Sequence, residues 1–224
     1  TLSVQGTLLN MPIDDLKTFW PDSLTPDPRR WVTQHLSKGI AEKATLDLAM
    51  EINPAGGQQL KKLGGAITYK DIKVDYFPPL MPVTGATGEA SFDQKSFNLD
   101  IKSGMLNDIK VTSSKIKITD LDTKNTGTHS KIDIDVALSG PLKTALDVLD
   151  SDPLHYTSGL GLSTKDVAGA ADINVNFKFP LYEKLQLHEV AVKADAKINN
   201  VLLTEVVADM PLAGGPYDFK FEQN

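Results

Sequence analysis

Apolar and polar side chains alternate with a period of two residues along most of the chain. This spacing is typical of a β-strand with one buried and one wet face. In residues 131–140, for example, Ile132, Ile134 and Val136 alternate with lysine and aspartate. Similar runs occur at residues 96–104, 172–180 and 217–223, and shorter ones at 46–50, 67–76, 111–118 and 190–198. The opening TLSVQGTLLN also has the pattern of a strand. The alternation predicts an antiparallel sheet with one apolar face.

Two segments have helical patterns instead. In TPDPRRWVTQHLSKG, Thr25 is placed to cap a helix that starts at Pro26 and stops at Gly39. In GPLKTALDVLD, a helix starting at Pro141 has an apolar stripe at i, i+3, i+4 and i+7, formed by Leu142, Ala145, Leu146 and Leu149. A third, single helical turn is expected to end near Leu63.

Glycines punctuate the strand patterns and predict the turns between them. The glycines concerned are Gly64, Gly65, Gly85, Gly88, Gly104, Gly127, Gly214 and Gly215. We therefore predict a mainly β fold. It is a curved antiparallel sheet of repeated hairpins that forms an open groove or taco-like half-barrel, with two or three short helices. Residues 1–224 are expected to form one β-groove segment of a longer protein, with possible sub-units at 1–63, 64–140 and 141–224.

Composition narrows the functional classes. Hydrophobic residues make up 41% and charged residues 23% of the chain, which is typical of a folded domain. The net charge of -6 disfavours nucleic acid, whose phosphates attract clustered lysine and arginine. The absence of cysteine excludes disulfides, thiol catalysis and zinc sites built on cysteine. No apolar run has the ~20 residues of a membrane helix, and no signal peptide opens the chain. We expect an excised or processed piece whose anchor or targeting signal lies outside it.

Catalytic chemistry has little support in the sequence. The four histidines are far apart, and no nucleophile elbow, phosphate loop or dinucleotide fingerprint is present. DLDTKNTGTHSK, residues 120–131, lacks the glycine and closing glutamate of a calcium loop and is expected to be a polar hairpin loop. The carboxylates alternate on wet strand faces, so solvation explains them. We expect no enzyme activity, no cofactor and no metal, with a hydrolase as a distant alternative.

The predicted apolar face is larger than the predicted helices can cover. A dozen strands about 4.8 Å apart would form a sheet roughly 55–60 Å wide, and two short helices cover only part of it. The rest closes on itself, packs on a protein, or holds acyl chains in a groove. The residues proposed to line such a groove are Ile132, Ile134, Val136, Leu138, Ile173, Val175, Phe177, Phe179, Val192 and Ile198.

Both tryptophans of the chain lie in FWPDSLTPDPRRWVTQHLSKG. We interpret Trp20 and Trp31 as packing anchors that fasten the short helix to the sheet. Arg29 and Arg30 are expected to face water or a carboxylate. Contact with a lipid phosphate is the alternative, since arginine pairs well with phosphate.

Three stretches together resemble a known family: WPDSLTPDPRRWVTQHLSKGIAEKATLDL, LGGAITYKDIKVDYFPPLMPVTGATGEASFD and VALSGPLKTALDVLDSDPLHYTSGLGLSTKDVAGAADINVNFKFPL. Their order and spacing are similar to those of the AsmA-like superfamily of Gram-negative envelope proteins, in particular its large YhdP-type branch. The resemblance covers nearly the whole chain.

The resemblance implies a function that periodicity alone does not. Such proteins are usually anchored in the inner membrane by an N-terminal helix, extend through the periplasm and carry phospholipids toward the outer membrane in an apolar β groove. It therefore implies a periplasmic segment that binds phospholipid acyl chains, with other envelope proteins as possible partners. The alternative is a structural or protein-binding β module with a self-packed core and no lipid.

Overall fold

The structure, a computed structural model, describes residues 1–20, 26–52, 57–76, 78–121, 129–152, 154–159, 166–181, 185–203 and 211–223. Within these residues twelve strands form one antiparallel sheet. They are β1 Leu2–Pro12, β2 Leu36–Ser37, β3 Ile40–Ile52, β4 Gln58–Val74, β5 Val83–Asp93, β6 Phe97–Leu106, β7 Ile109–Thr119, β8 Lys131–Pro141, β9 Ala168–Pro180, β10 Ala191–Leu203, β11 Leu212–Gly214 and β12 Tyr217–Gln223.

The strands follow one another across the sheet in chain order, as in a simple meander. The strand β2 pairs with β4 in line with β3, and both β11 and β12 pair with β10. One edge is therefore β1 and the opposite edge is β11 with β12, and these edges do not pair with each other. The predicted open antiparallel sheet is confirmed. The boundaries between the possible sub-units, at residues 63/64 and 140/141, lie inside the continuous strands β4 and β8.

Most of the helices lie at one end of the strands. The short helices η1 Ile13–Asp15, α1 Leu16–Phe19 and α2 Pro26–His35 connect β1 to β2. The helices α3 Leu142–Asp150 and α4 Tyr156–Gly159 connect β8 to β9. The registers place Pro12, Ile40 and Pro141 at this end, which we call the helix end. A one-turn helix, η2 Leu187–Glu189, lies between β9 and β10 at the other end, the open end.

The predicted helices are confirmed in kind but not in extent. The first ends at His35 rather than Gly39, because Leu36 and Ser37 pair with β4 as strand β2; Thr25 lies outside the described residues. The second was expected to start at Pro141 and runs instead from Leu142 to Asp150, with Pro141 at its N-cap.

Two predictions about breaks in the strands are wrong. The helical turn near Leu63 is absent, because residues 58–74 form one long strand. The register between β3 and β4 shifts between Ala49 and Met50. Leu60 and Leu63 therefore lie on the same face of the sheet, although they are three residues apart as on one face of a helix. The glycines Gly64, Gly65, Gly85, Gly88 and Gly104 lie inside strands rather than in turns, whereas Gly127 lies outside the described residues.

A line of β-bulges crosses several strands near the helix end. Asp71, Gly85 and Asn200 have positive φ angles of 58°, 62° and 52°, and the register shifts beside them. Each bulge adds one residue, so that Tyr69 and Ile72, three positions apart, are both buried. Bulges also bend the strands, which curves this end of the sheet.

The two faces of the sheet have opposite chemistry. One row of directly paired residues crosses nine strands with apolar side chains only: Leu8, Ala44, Ile67, Ala90, Leu99, Ile116, Ile134, Phe177 and Val192. The neighbouring row on the other face is polar: Thr68, Glu89, Asp100, Lys115, Asp135, Asn176, Lys193 and Glu222. We call these the apolar face and the polar face.

The centre of the apolar face is a packed core. Tyr69, Leu99 and Ile101 are only 2%, 2% and 3% exposed, although the described helices lie at the two ends of the strands and not over the centre. A single flat layer would leave such side chains partly open, so the sheet curves with its apolar side chains packed inward. The accessible surface of 13307 Å² nevertheless exceeds the roughly 10,000 Å² of a compact monomer of 24.3 kDa. The curved sheet is therefore only partly closed.

Candidate functional site: the apolar face of strands β8 to β12

The ten residues predicted to line a groove lie on the same face of three adjacent strands. Direct cross-strand pairs join Ile132 to Phe179, Val136 to Val175 and Leu138 to Ile173. Ile134 pairs with Phe177, which pairs in turn with Val192. Ile198 pairs with Ala171, which follows the same alternation on β9. The structure therefore brings all ten together on one continuous apolar surface.

This surface becomes more exposed from β8 toward the edge of the sheet. Ile132 belongs to the core and is 5% exposed, whereas Val175, Phe177 and Val192 are half-buried. The exposed fraction rises further on β12, where Phe219 reaches 54%. The same alternation therefore produces a closed core in the middle and an accessible apolar surface toward β12.

Three aromatic side chains at the edge extend the site beyond the sequence-based prediction. Tyr217, Phe219 and Phe221 pair with Ile198, Ala196 and Ala194 of β10, so they lie on the apolar face. Their exposed fractions are 36%, 54% and 38%. The alternation of β12 is visible in the sequence. Its place beside β10 depends on long-range pairing that local periodicity does not specify.

The helix α3 covers the apolar face at the helix end. Leu142 packs in a cluster with Val167, Ala171 and Val201, and Ala145 packs with Leu106 and Ile109. Leu146 also packs against the Leu142 cluster, so the predicted stripe is confirmed for three residues, while Leu149 is 41% exposed. Within the described residues, the apolar face is thus covered at the helix end and more accessible toward β12.

Two aromatic side chains seal the centre by lying over glycines. Tyr69 pairs with Gly88, and its hydroxyl donates to the Asp100 carbonyl oxygen at 3.0 Å. Burial, with Asp100 and Glu89 nearby, raises the pKa of Tyr69 well above its usual value, so the phenol stays neutral. Phe92 lies over Gly65, where an added Cβ would come 2.6 Å from the ring. The small glycines leave space that the rings fill, and this part of the face offers no groove.

The polar face is crossed by ion pairs between strands. Lys102 pairs with Glu89, Lys193 with Glu222 at 2.7 Å, and Lys178 with Asp133 at 2.9 Å. Burial acts to raise the pKa of Asp133, but hydrogen bonds from Lys178 and Asn176 outweigh it and hold that pKa below its usual value. The pKa of Lys178 is raised by the same contact. Solvation and these ion pairs explain the charged side chains of the polar face.

The described residues form concave regions on the polar side, of which two are considered. One, of about 510 Å³, involves Gln5, Thr7, Asp47 and Lys62 on β1, β3 and β4. The other, of about 560 Å³, lies over β4 to β8 and is lined by carboxylates and lysines, with Glu89, Asp100, Asp133 and Asp135 among them. Their charged, solvent-open walls suit water and ions rather than hydrocarbon, so we place the apolar site on the opposite face.

The tryptophan segment holds the first helices in place. Arg29 donates from Nε to the Trp20 carbonyl at 2.6 Å and from its terminal nitrogen to the Lys17 carbonyl at 3.0 Å. The prediction that Arg29 faces water or a carboxylate did not include these two backbone contacts. Its guanidinium binds carbonyl groups around the end of α1, which are acceptors left over by the helix. Arg30 is exposed.

The anchor of α2 is broader than the two tryptophans. Trp20 and Trp31 are half-buried, and Trp31 stacks on His35 with ring centroids 5.2 Å apart. Val32 is only 5% exposed. The Nδ1 atom of His35 donates to the carbonyl of Asp75 at 2.6 Å, and the Asp75 amide donates back to the His35 carbonyl at 2.8 Å. Val32 and His35 thus fasten the helix with Trp31 beside them.

A metal centre and a membrane span are two other features that would bear on function. No group of three or more histidine, aspartate and glutamate side chains is arranged to hold a metal ion in the part of the chain that the structure describes. Among the same residues, no helix combines the length and apolar character needed to span a bilayer.

Comparison with known proteins identifies the family. The family model described as YhdP protein matches residues 1–224, the full length of the chain. Neither the curated proteins nor the solved structures contain a match. The family match agrees with the order of the three sequence stretches that resemble this family, and with the open sheet. The chain therefore belongs to the YhdP family, a family of envelope proteins associated with lipid transport.

Proposed function

We propose that this chain is a periplasmic segment of an envelope protein, anchored in the inner membrane, and that its apolar face binds phospholipid acyl chains in transit between the two membranes. The observation that supports the proposal is the exposed apolar surface of β9 to β12. It adjoins the core at β8 and extends to Phe219 and Phe221, 54% and 38% exposed. Exposed aromatic surface of this kind is unfavourable in water and suits an apolar ligand.

The side chains on this surface suit hydrocarbon. Val175, Val192 and Ala194 are aliphatic, and they form no hydrogen-bonding pattern that would select a polar substrate. Each buried methylene of an acyl chain contributes about 0.8 kcal/mol, so contact with part of a chain gives useful affinity. The phosphate headgroup is expected to stay in water at the opening, and no catalytic residue is needed.

A structural or protein-binding module is the second candidate, and the core supports it. Leu99, Ile101 and Ile116 are buried in a cluster of the chain's own side chains, so the centre of the sheet packs on itself. In this alternative, a protein partner instead of lipid covers β9 to β12. The two functions differ in what co-purifies with the chain.

Extraction and mass spectrometry of lipids bound to the purified chain tests the proposal. We expect phospholipid in a fixed ratio to protein. Ala194→Trp fills the apolar surface between Val175 and Phe221 and should lower that ratio several-fold. Asn174→Trp, on the polar face of the adjacent strand, is the matched control and should leave it unchanged. A lipid-free chain that captures a protein partner would favour the second candidate.

A further inference from the structure

The ten candidate lining residues differ in what packs against them at the helix end. Leu138 and Ile173 pack against the cluster that contains Ala145 of α3. Ile173 and Ile198 pack against the cluster that contains Leu142 of the same helix. Leu138 and Ile173 are also direct cross-strand partners. The helix α3 therefore closes the apolar face of β8 to β10 as far as the row of residues that Leu138 and Ile173 define.

Three of the lining residues nearer the open end take no part in this packing. Val175, Phe177 and Val192 are half-buried, and they belong to none of the clusters of buried residues in the described part of the chain. On the β8 side, Ile132 is buried in the central core and Ile134 packs against that core. The apolar surface of β8 to β10 thus has the core along one side and α3 across the helix end.

The stretch between the open end and α3 has the length of an acyl chain in a membrane. Leu138 lies six residues after Ile132 along β8, which is roughly 20 Å at about 3.3 Å per residue. The hydrocarbon core of a bilayer is about 30 Å thick, so the acyl chains of one leaflet extend about 15 Å. An acyl chain that lies along the strands therefore reaches from the open end to α3.

We propose that α3 limits the depth of the acyl site. The headgroup lies at the open end, the acyl chain runs along β9 and β10, and its methyl end meets α3 beside Leu146. Leu146 is half-buried and packs against the Leu142 cluster. A headgroup at the helix end would lose its hydration among apolar side chains, which is costly. This inference rests on the proposed function and adds the orientation of the lipid and the residue that limits its acyl length.

Selectivity for acyl length tests the proposal. The full chain is incubated with vesicles that contain phosphatidylcholines from dilauroyl to diarachidoyl in equal amounts, and the bound lipid is quantified by mass spectrometry. Lipids that fit should bind similarly, because each methylene moves from one apolar environment to another. Beyond a limiting length, binding should fall by up to about fourfold for each methylene that stays in water.

Substitutions at Leu146 should move this limit in both directions. Leu146→Ala opens space beside α3 and should raise the limiting acyl length, whereas Leu146→Phe fills that space and should lower it. Leu149→Ala removes the same atoms from a position of the same helix that is 41% exposed. It is the matched control and should leave the limit unchanged. Leu146→Val should give a smaller shift to longer chains, and it replaces the alanine variant if circular dichroism shows that variant to be unfolded.

Two results would overturn the proposal, and they differ in what they say about lipid binding. If phosphatidylcholine binds but folded Leu146 variants share one limiting length, or the Leu149 variant shifts it equally, α3 does not limit the depth and the proposed function stands. If no phosphatidylcholine of any length binds to the unaltered chain, the proposed function fails and this inference fails with it.

Discussion

The central strands β4 to β7 and the flanking strands β9 to β12 carry the same alternation but have different surroundings. Leu99 and Ile101 are 2% and 3% exposed, while Val175 is half-buried and Phe219 is 54% exposed. In the centre, the curvature of the sheet and the rings of Tyr69 and Phe92 cover the apolar face. Toward β12 that cover decreases. One binary pattern thus yields a core where it is covered and an accessible apolar surface where it is not.

The largest expected difference between the regions is at glycine. In the centre, a Cβ on Gly88 would lie 1.9 Å from the Asp100 carbonyl oxygen, so Gly88→Ala should cost about 4 kcal/mol or more of unfolding free energy. At the β1 edge Gly6 has open space, and Gly6→Ala should change stability by less than about 1 kcal/mol. Denaturant unfolding of both variants measures the contrast. Equal stabilities would contradict the description of the centre as close-packed.

Truncation of an aliphatic side chain should show the same contrast on a smaller scale. Leu99→Ala removes buried methyl groups and should lower the unfolding free energy by about 2–4 kcal/mol. Val175→Ala, which removes less volume from a half-buried position, should cost about 1 kcal/mol or less. Comparable losses at both sites would show that β9 is as tightly covered as β6.

Polar substitution on β12 should lower lipid binding with little effect on the unfolding free energy. Replacing both Phe219 and Phe221 by serine removes apolar surface that is already exposed, so the unfolding free energy should shift by less than about 1 kcal/mol. Co-purified phospholipid should fall several-fold. A large loss of stability with unchanged lipid would assign these rings to the core instead.

The smallest expected effect concerns acid stability at the open end of the central strands. Asp93 accepts hydrogen bonds from the amides of Lys95 and Ser96, both at 2.7 Å, and these hold its pKa below the usual value. Its contribution is present above the unfolded pKa of about 4 and is lost as pH falls through the lower folded pKa. Asp93→Asn should make the unfolding free energy less dependent on pH in this range. The change should be under about 1 kcal/mol because the carboxylate is exposed. An unchanged acid-unfolding curve would refute this.

The sequence predicts the strands well because alternation is a local property. It predicts less where bulges shift the phase: Tyr69 and Ile72 are three residues apart, and only the bulge at Asp71 brings both into the core. Gly88 was expected to form a turn but lies in β5, where its missing side chain makes room for Tyr69. These outcomes depend on partners far away in the chain.

The shared face of the ten candidate residues was predictable from the sequence, but their accessibility was not. The ten lining residues share one face, as their alternation indicates, yet Ile132 is in the core while Val192 is half-buried. The difference arises from the curvature of the sheet and the position of α3, which local pattern does not contain. The exposed aromatics of β12 became part of the site only through their pairing with β10.

The most direct test of lipid binding on the apolar face compares two adjacent positions of β9. A photoreactive benzophenone side chain is placed at Val175, on the apolar face, or at Asn174, on the polar face, and the chain is irradiated during expression in the envelope. We predict phospholipid cross-linked at position 175 and little at 174. Equal labelling at both positions, or none at 175 in a folded chain, would contradict the account.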